Sequence, residues 1–179
     1  YPLTLTLGSL IPAIASGNTI IIKTSELTPN LSKIMVKIIR ETFEENEVAI
    51  FEGDASVATS LLTLPFDHIF FTGSPAIGKV VMTAAAKNLT SVTLELGGKS
   101  PIIIDETADL DMAVKTLAWG KFLNCGQTCV APDHLYIAEN IKDKFISKFN
   151  QHISNIYGEG ENVKNAQLAR IVNERHTAR

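Results

Sequence analysis

Cysteine is scarce in this sequence: of 179 residues only Cys125 and Cys129 carry a thiol. They share one Cys-x-x-x-Cys segment and no secretory signal precedes them, so a structural disulfide is not expected. The four histidines, His68, His134, His152 and His176, are scattered. They build neither a zinc finger nor an HExxH site, and no metal is expected. Runs of lysine or arginine are lacking, and a net charge of −3 with a pI near 5.8 gives no pull toward nucleic acid or anionic membrane. The expected partners are small molecules or other subunits.

Charge is missing altogether from Tyr1 to Ile22, a length that invites comparison with a membrane span or a signal peptide. Gly8, Pro12, Ser16, Gly17 and Asn18 interrupt the stretch, whereas a spanning helix wants about 20 unbroken apolar residues. Ala13-Ile14-Ala15 imitates a cleavage site, but no basic leader stands before it. A buried helix, a turn at Gly17-Asn18 and a buried strand are the expectation.

What is present is an ordinary globular composition, 45% hydrophobic and 20% charged, long enough for one domain or two small halves. Short β-branched runs predict strands at 19–23, 48–51, 68–72, 92–95, 101–104 and 135–137. Helices are expected between them, from Leu31 to Phe43, from Asp54 or Ala55 to Leu62, from Ala76 to Lys87, from Asp109 to Phe122 and from Ile141 to Tyr157. The first sets Leu31, Ile34, Ile38 and Ile39 on one face against Lys33, Lys37 and Arg40; Asp54 and Asp109 stand as N-caps. Regular alternation of strand and helix predicts βαβ units in an α/β fold, a Rossmann-like parallel sheet whose Ile-rich strands are buried on both faces. The turn-rich Leu96-Gly97-Gly98-Lys99-Ser100-Pro101 divides residues 1–95 from residues 96–179. The chain lacks an initial Met and stops in a charged stretch, as a piece cut at both ends would.

Four segments carry possible chemistry. Phe71-Thr72-Gly73-Ser74-Pro75-Ala76-Ile77-Gly78 runs from strand to helix, where N–H groups and the helix dipole can meet an anion. It is not GxGxxG, and a plain connection looks much the same. Lys23-Thr24-Ser25-Glu26 follows a strand's carboxyl end, where ligands collect in open parallel sheets; a charged surface turn reads identically. Glu95 ends a strand beside Gly97-Gly98 and can reach into a cleft or into solvent. Cys129, in Asn124-Cys125-Gly126-Gln127-Thr128-Cys129, is a nucleophile candidate, with a buried inert thiol as the alternative. A redox pair fits least, because the spacing is not CxxC.

The order and wording of these four segments resemble the aldehyde dehydrogenase superfamily from Tyr1 to the chain's last residues. Cys125-Gly126-Gln127-Thr128-Cys129-Val130-Ala131-Pro132-Asp133 and Arg170-Ile171-Val172-Asn173-Glu174-Arg175-His176 look most like its class 3 branch, which includes fatty-, aromatic- and coniferyl-aldehyde enzymes. The resemblance implies an NAD-binding part over 1–95 and the start of a catalytic domain over 96–179. It makes Cys129 the nucleophile of the Gly-Gln-x-Cys motif and Glu95 the water-activating base of Glu-Leu-Gly-Gly. Lys23 and Glu26 match the adenosine-ribose contacts, and Gly73, Ser74 and Gly78 the turn under the pyrophosphate. Cys125 receives no catalytic role. The cofactor implied is NAD, with NADP as the alternative, and the substrate is an aldehyde.

Thr24 departs from the proline common at its position. The oxyanion-stabilising asparagine falls just before Tyr1, and the nicotinamide-ribose glutamate and the oligomerisation strand fall beyond the chain. A cytoplasmic homodimer is implied for the complete enzyme, with a membrane reached only through a tail outside these residues. The rival readings are a nucleotide-binding module without catalysis and a CoA-acylating dehydrogenase, against which Glu95 argues. As it stands the chain is expected to be inactive.

Overall fold

The computed structural model describes residues 1–160 and 168–179, and the chain divides into two compact units, Tyr1–Leu96 and Gly97–Arg179. The first unit runs α1 (Pro2–Ala15), β1 (Ile20–Lys23), α2 (Pro29–Thr42), β2 (Val48–Phe51), α3 (Ala55–Leu61), β3 (His68–Thr72), α4 (Pro75–Ala86) and β4 (Ser91–Glu95). The second runs β5 (Ser100–Ile104), α5 (Leu110–Phe122), a 3₁₀ turn (Leu123–Gly126), β6 (Pro132–Ile137), α6 (Glu139–Tyr157) and α7 (Glu174–Ala178). Every strand and long helix expected from the sequence is present; the short α7, capped by Asn173, is an addition.

All pairings are parallel, as the alternation requires. The strands hydrogen-bond as three pairs, β1 with β2, β3 with β4 and β5 with β6, each joined through at least one helix. In the first unit Leu10, Ile22, Met35, Ile39, Val48 and Ile50 form the core between α1, α2 and the first pair. Ile104, Val114, Leu117 and Phe145 form the core of the second unit. Asp54 accepts from the Ser56 N–H, and Asp109 from those of Asp111 and Met112, so both carboxylates cap their helices as expected.

Three expectations need correction. The first concerns α1, which buries only Leu10 and leaves Tyr1, Leu3, Leu5 and Ile11 exposed. Gly8 and Pro12 do not break it: Pro12 forfeits its own bond one turn back, and α1 runs on to Ala15 before Gly17 turns the chain at φ 79°. In α2 the buried face is Ser32, Met35 and Ile39, while Ile34 and Ile38 face outward. Finally, the strands are covered on one side only, with Ile21, Phe70, Ile103 and Tyr136 exposed.

Candidate active site

In the first unit, Lys23 ends β1 and Glu26 follows three residues later; the Lys23 ammonium donates to the Glu26 carboxylate at 2.8 Å. That hydrogen bond is the main reason the Glu26 carboxyl sits below its ordinary range. Glu26 lines a depression of about 220 Å³ together with Thr24, Ser25, Pro29, Ser32, Glu52, Gly53 and Asp54. Ser32 reaches the Ser25 carbonyl at 3.0 Å and fixes the bend between β1 and α2. Gly53 has φ 133°, and a methyl group on it would lie 2.4 Å from the Val57 side chain. Only glycine lets the chain leave β2 this way. The lining is rich in carboxylate acceptors, and the neighbouring Lys23 ammonium is already paired with Glu26. That chemistry suits a sugar diol better than a second phosphate.

The turn after β3 opens at Gly73. Gly73 is not in the left-handed region; a methyl there would meet the Phe71 ring at 2.5 Å. Its N–H is also spent, donating to the Glu95 carbonyl at 3.0 Å. Ser74 caps α4 by accepting from Ile77 N–H at 3.4 Å, and Pro75 has no N–H to give. The donor left by helix geometry is the Ala76 N–H, with the Ser74 hydroxyl beside it. Gly78 is buried against β4, where a methyl group would press on Leu96 at 3.1 Å. It serves the packing of α4 on the strand that carries Glu95.

Glu95 is therefore held twice at the backbone, as the register partner of Thr72 and as acceptor for Gly73, while its side chain lies exposed. The first unit thus brings together Lys23 with Glu26, and Gly73 and Gly78 with the end of β4.

Cys129 lies in the second unit. Its backbone is set by the β5–β6 register, in which Ser100 pairs with Pro132. Followed backward from that pair, the two chains bring Gly98 against Cys129: a methyl on Gly98 would stand 2.7 Å from the Cys129 carbonyl oxygen. Real side chains do not tolerate that approach to backbone. The turn closes with Ala131 N–H donating to the Thr128 carbonyl at 3.1 Å, and Lys99 pairs with Asp133 at 3.3 Å. Cys129 is exposed and Cys125 half-buried, both as free thiols.

Sequence reasoning gave no role to Gln127, Asn124 or Gly98. Asn124 and Cys125 are left-handed at φ 53° and 55°, followed by Gly126 at 71°. Asn124 Nδ2 donates to the Gln127 carbonyl at 3.1 Å, and Gln127 Nε2 returns a bond to the Asn124 carbonyl at 2.9 Å. Left-handed backbone costs an L-residue about 1–2 kcal/mol, least for asparagine. These bonds offset that cost. The signal lay in the motif itself, where a polar amide stands beside a glycine two residues before the thiol.

The aldehyde dehydrogenase family model matches residues 1–179. The Bacillus subtilis protein AldX is 51% identical over 98% of this chain, which covers 40% of AldX. Aldehyde dehydrogenase family 3 member A2 of Mus musculus is 46% identical over the whole chain, which covers 37% of that protein. The substrate-bound structure of Staphylococcus aureus AldH superposes with a TM-score of 0.89 at 45% identity, covering 99% of this chain and 39% of the other. The chain thus spans about two-fifths of the length of its relatives. With its motifs at strand ends and turns, and with that match running end to end, the chain belongs to the aldehyde dehydrogenase family.

Proposed function

We propose that this chain supplies the nucleophile, the hydrolytic base and part of the dinucleotide site of an NAD-dependent aldehyde dehydrogenase of the class 3 type. The observation that carries the proposal is the exposed Cys129 on a loop pressed against Gly98. In the sequence only Leu96 and Gly97 separate Gly98 from Glu95.

The Cys129 sulfur adds to the aldehyde carbon, forming a carbon–sulfur bond and a tetrahedral oxyanion. The Cys129 N–H is one donor for that charge; losing one such donor costs about 2.7–4 kcal/mol of barrier. NAD held by Lys23, Glu26, Ser74 and the Ala76 N–H would supply the acceptor for the hydride that leaves as the carbon–oxygen double bond re-forms. Cys129 then carries a thioester. Glu95 takes a proton from water, the resulting hydroxide attacks the acyl carbon, and sulfur departs as thiolate with release of the acid. Splitting the reaction in two keeps hydride loss and hydrolysis from competing.

Lys23 and Glu26 would hold the adenosine ribose through its hydroxyls. Glu52 and Asp54 border the same depression, and their charge favours NAD over NADP. The Ala76 N–H and the Ser74 hydroxyl would face the pyrophosphate. Residues 1–95 then form part of the NAD-binding domain and residues 96–179 part of the catalytic domain. The complete enzyme is a homodimer; no described helix of this chain is long and apolar enough to cross a membrane.

The test is Cys129→Ala in the complete protein. It should end aldehyde-dependent NADH production while NAD still binds by fluorescence titration. Turnover at the native rate would overturn the assignment.

A further inference from the structure

Gln127 uses its whole side-chain amide. Nε2 donates to the Asn124 carbonyl at 2.9 Å and to the Arg170 carbonyl at 3.1 Å, and Oε1 accepts from the Val172 N–H at 3.0 Å. Two of the three bonds reach a segment more than forty positions away, so their function is not local turn formation. Both partners are main-chain groups, which side-chain replacement in that segment leaves in place. On the near side, Asn124 bonds back to the Gln127 carbonyl across three successive left-handed residues. Two residues beyond Gln127 stands Cys129, exposed and with its carbonyl against Gly98.

We infer that Gln127 is the positioning residue of the reaction, clamping the Cys129 loop to the Arg170–Val172 backbone so that the sulfur meets the aldehyde at a fixed place. This rests on Cys129 being the nucleophile. Gly98 limits the loop from one side and the Gln127 clamp holds it from another. Without the Gln127 amide, the 124–126 backbone loses one of the two bonds that oppose its strain, the one from Nε2 to the Asn124 carbonyl, and the thiol is exposed but unregistered. Misplacement by about 1 Å can cost on the order of 100-fold in rate.

The two reactions of one thiol separate positioning from mere presence. Iodoacetamide needs only an accessible thiolate, whereas aldehyde oxidation also needs the sulfur in register with other groups. Gln127→Met keeps the length and discards all three bonds. Gln127→Glu keeps size and polarity, retains the acceptor for Val172, and turns an acceptor toward two carbonyl oxygens.

In the complete protein, both variants should lose about 100-fold in kcat at unchanged KM for NAD. Cys129 alkylation, read by peptide mass spectrometry, should stay close to the native rate. In the native protein, the Val172 amide should be protected in hydrogen exchange and become unprotected in Gln127→Met. Native kcat in Gln127→Met, or a Val172 amide exchanging like a free peptide in the native protein, would overturn the inference. Should both variants fail to fold, the native Val172 exchange alone decides the matter. Failure of the nucleophile reading looks different: Cys129 would label no faster than Cys125, and Cys129→Ala would still turn over.

Discussion

A methyl group on Gly98 has nowhere to go without moving the Cys129 main chain, because the atom it meets at 2.7 Å is a carbonyl oxygen and not the end of a flexible side chain. Gly98→Ala is therefore expected to displace the loop and lower kcat on the order of 100-fold, with little change in melting temperature. Steady-state kinetics beside thermal denaturation checks this; native kcat would show that the loop yields freely. Glu26 adds a prediction in pH. The hydrogen bond from Lys23 lets its carboxyl ionise more readily in the folded chain than in the unfolded one. Its contribution to stability is thus complete at neutral pH and vanishes as the pH falls through that lowered value. The carboxylate is half exposed, so solvent screening holds the effect to less than about 1 kcal/mol. Urea unfolding of Glu26→Gln against the native chain should show a small gap at neutral pH and none in acid. Motif wording made Lys23, Glu26, Glu95 and Cys129 legible in the sequence as the candidates of the proposal. Gln127 and Gly98 were not, because their work is done on main-chain groups that only the fold brings near.

Helix α2 shows what periodicity can and cannot reveal at the level of an element. Its apolar spacing announced a helix, yet Leu31, Ile34 and Ile38 make as good a stripe as Leu31, Met35 and Ile39. The choice between them was made by tertiary contacts: the Ser32 hydroxyl bonds the Ser25 carbonyl, turning Met35 and Ile39 onto β1 and β2. Ile39→Ala should accordingly cost about 2–5 kcal/mol, as for other buried aliphatic truncations. Ile38→Ala, on the exposed face, should stay within about 0.5 kcal/mol of native. Equal losses in chemical denaturation would refute this orientation. Strands were legible for a different reason. Runs such as Ile20-Ile21-Ile22 have one stable arrangement whatever packs above them, but which of their faces is covered depends on neighbours the run does not encode.

At the scale of the whole molecule, three parallel strand pairs in two units carry apolar residues on their open faces, among them Ile21, Phe70 and Ile103. Composition gave no warning of this, since it reports how much apolar surface exists and not how much is covered. The proposed division of labour follows the order of the elements: turns after β1 and β3 for a dinucleotide, the end of β4 for a base, and the loop before β6 for a thiol. The central claim is that acid release needs Glu95 after Cys129 has been acylated. It is tested most directly by rapid-mixing Glu95→Gln, in the complete protein, with aldehyde and NAD, followed by mass spectrometry of the Cys129 peptide. One burst of NADH per site, no steady turnover and an acyl mass on Cys129 are expected. Native steady-state turnover, or a burst with Cys129 unmodified, would contradict the claim.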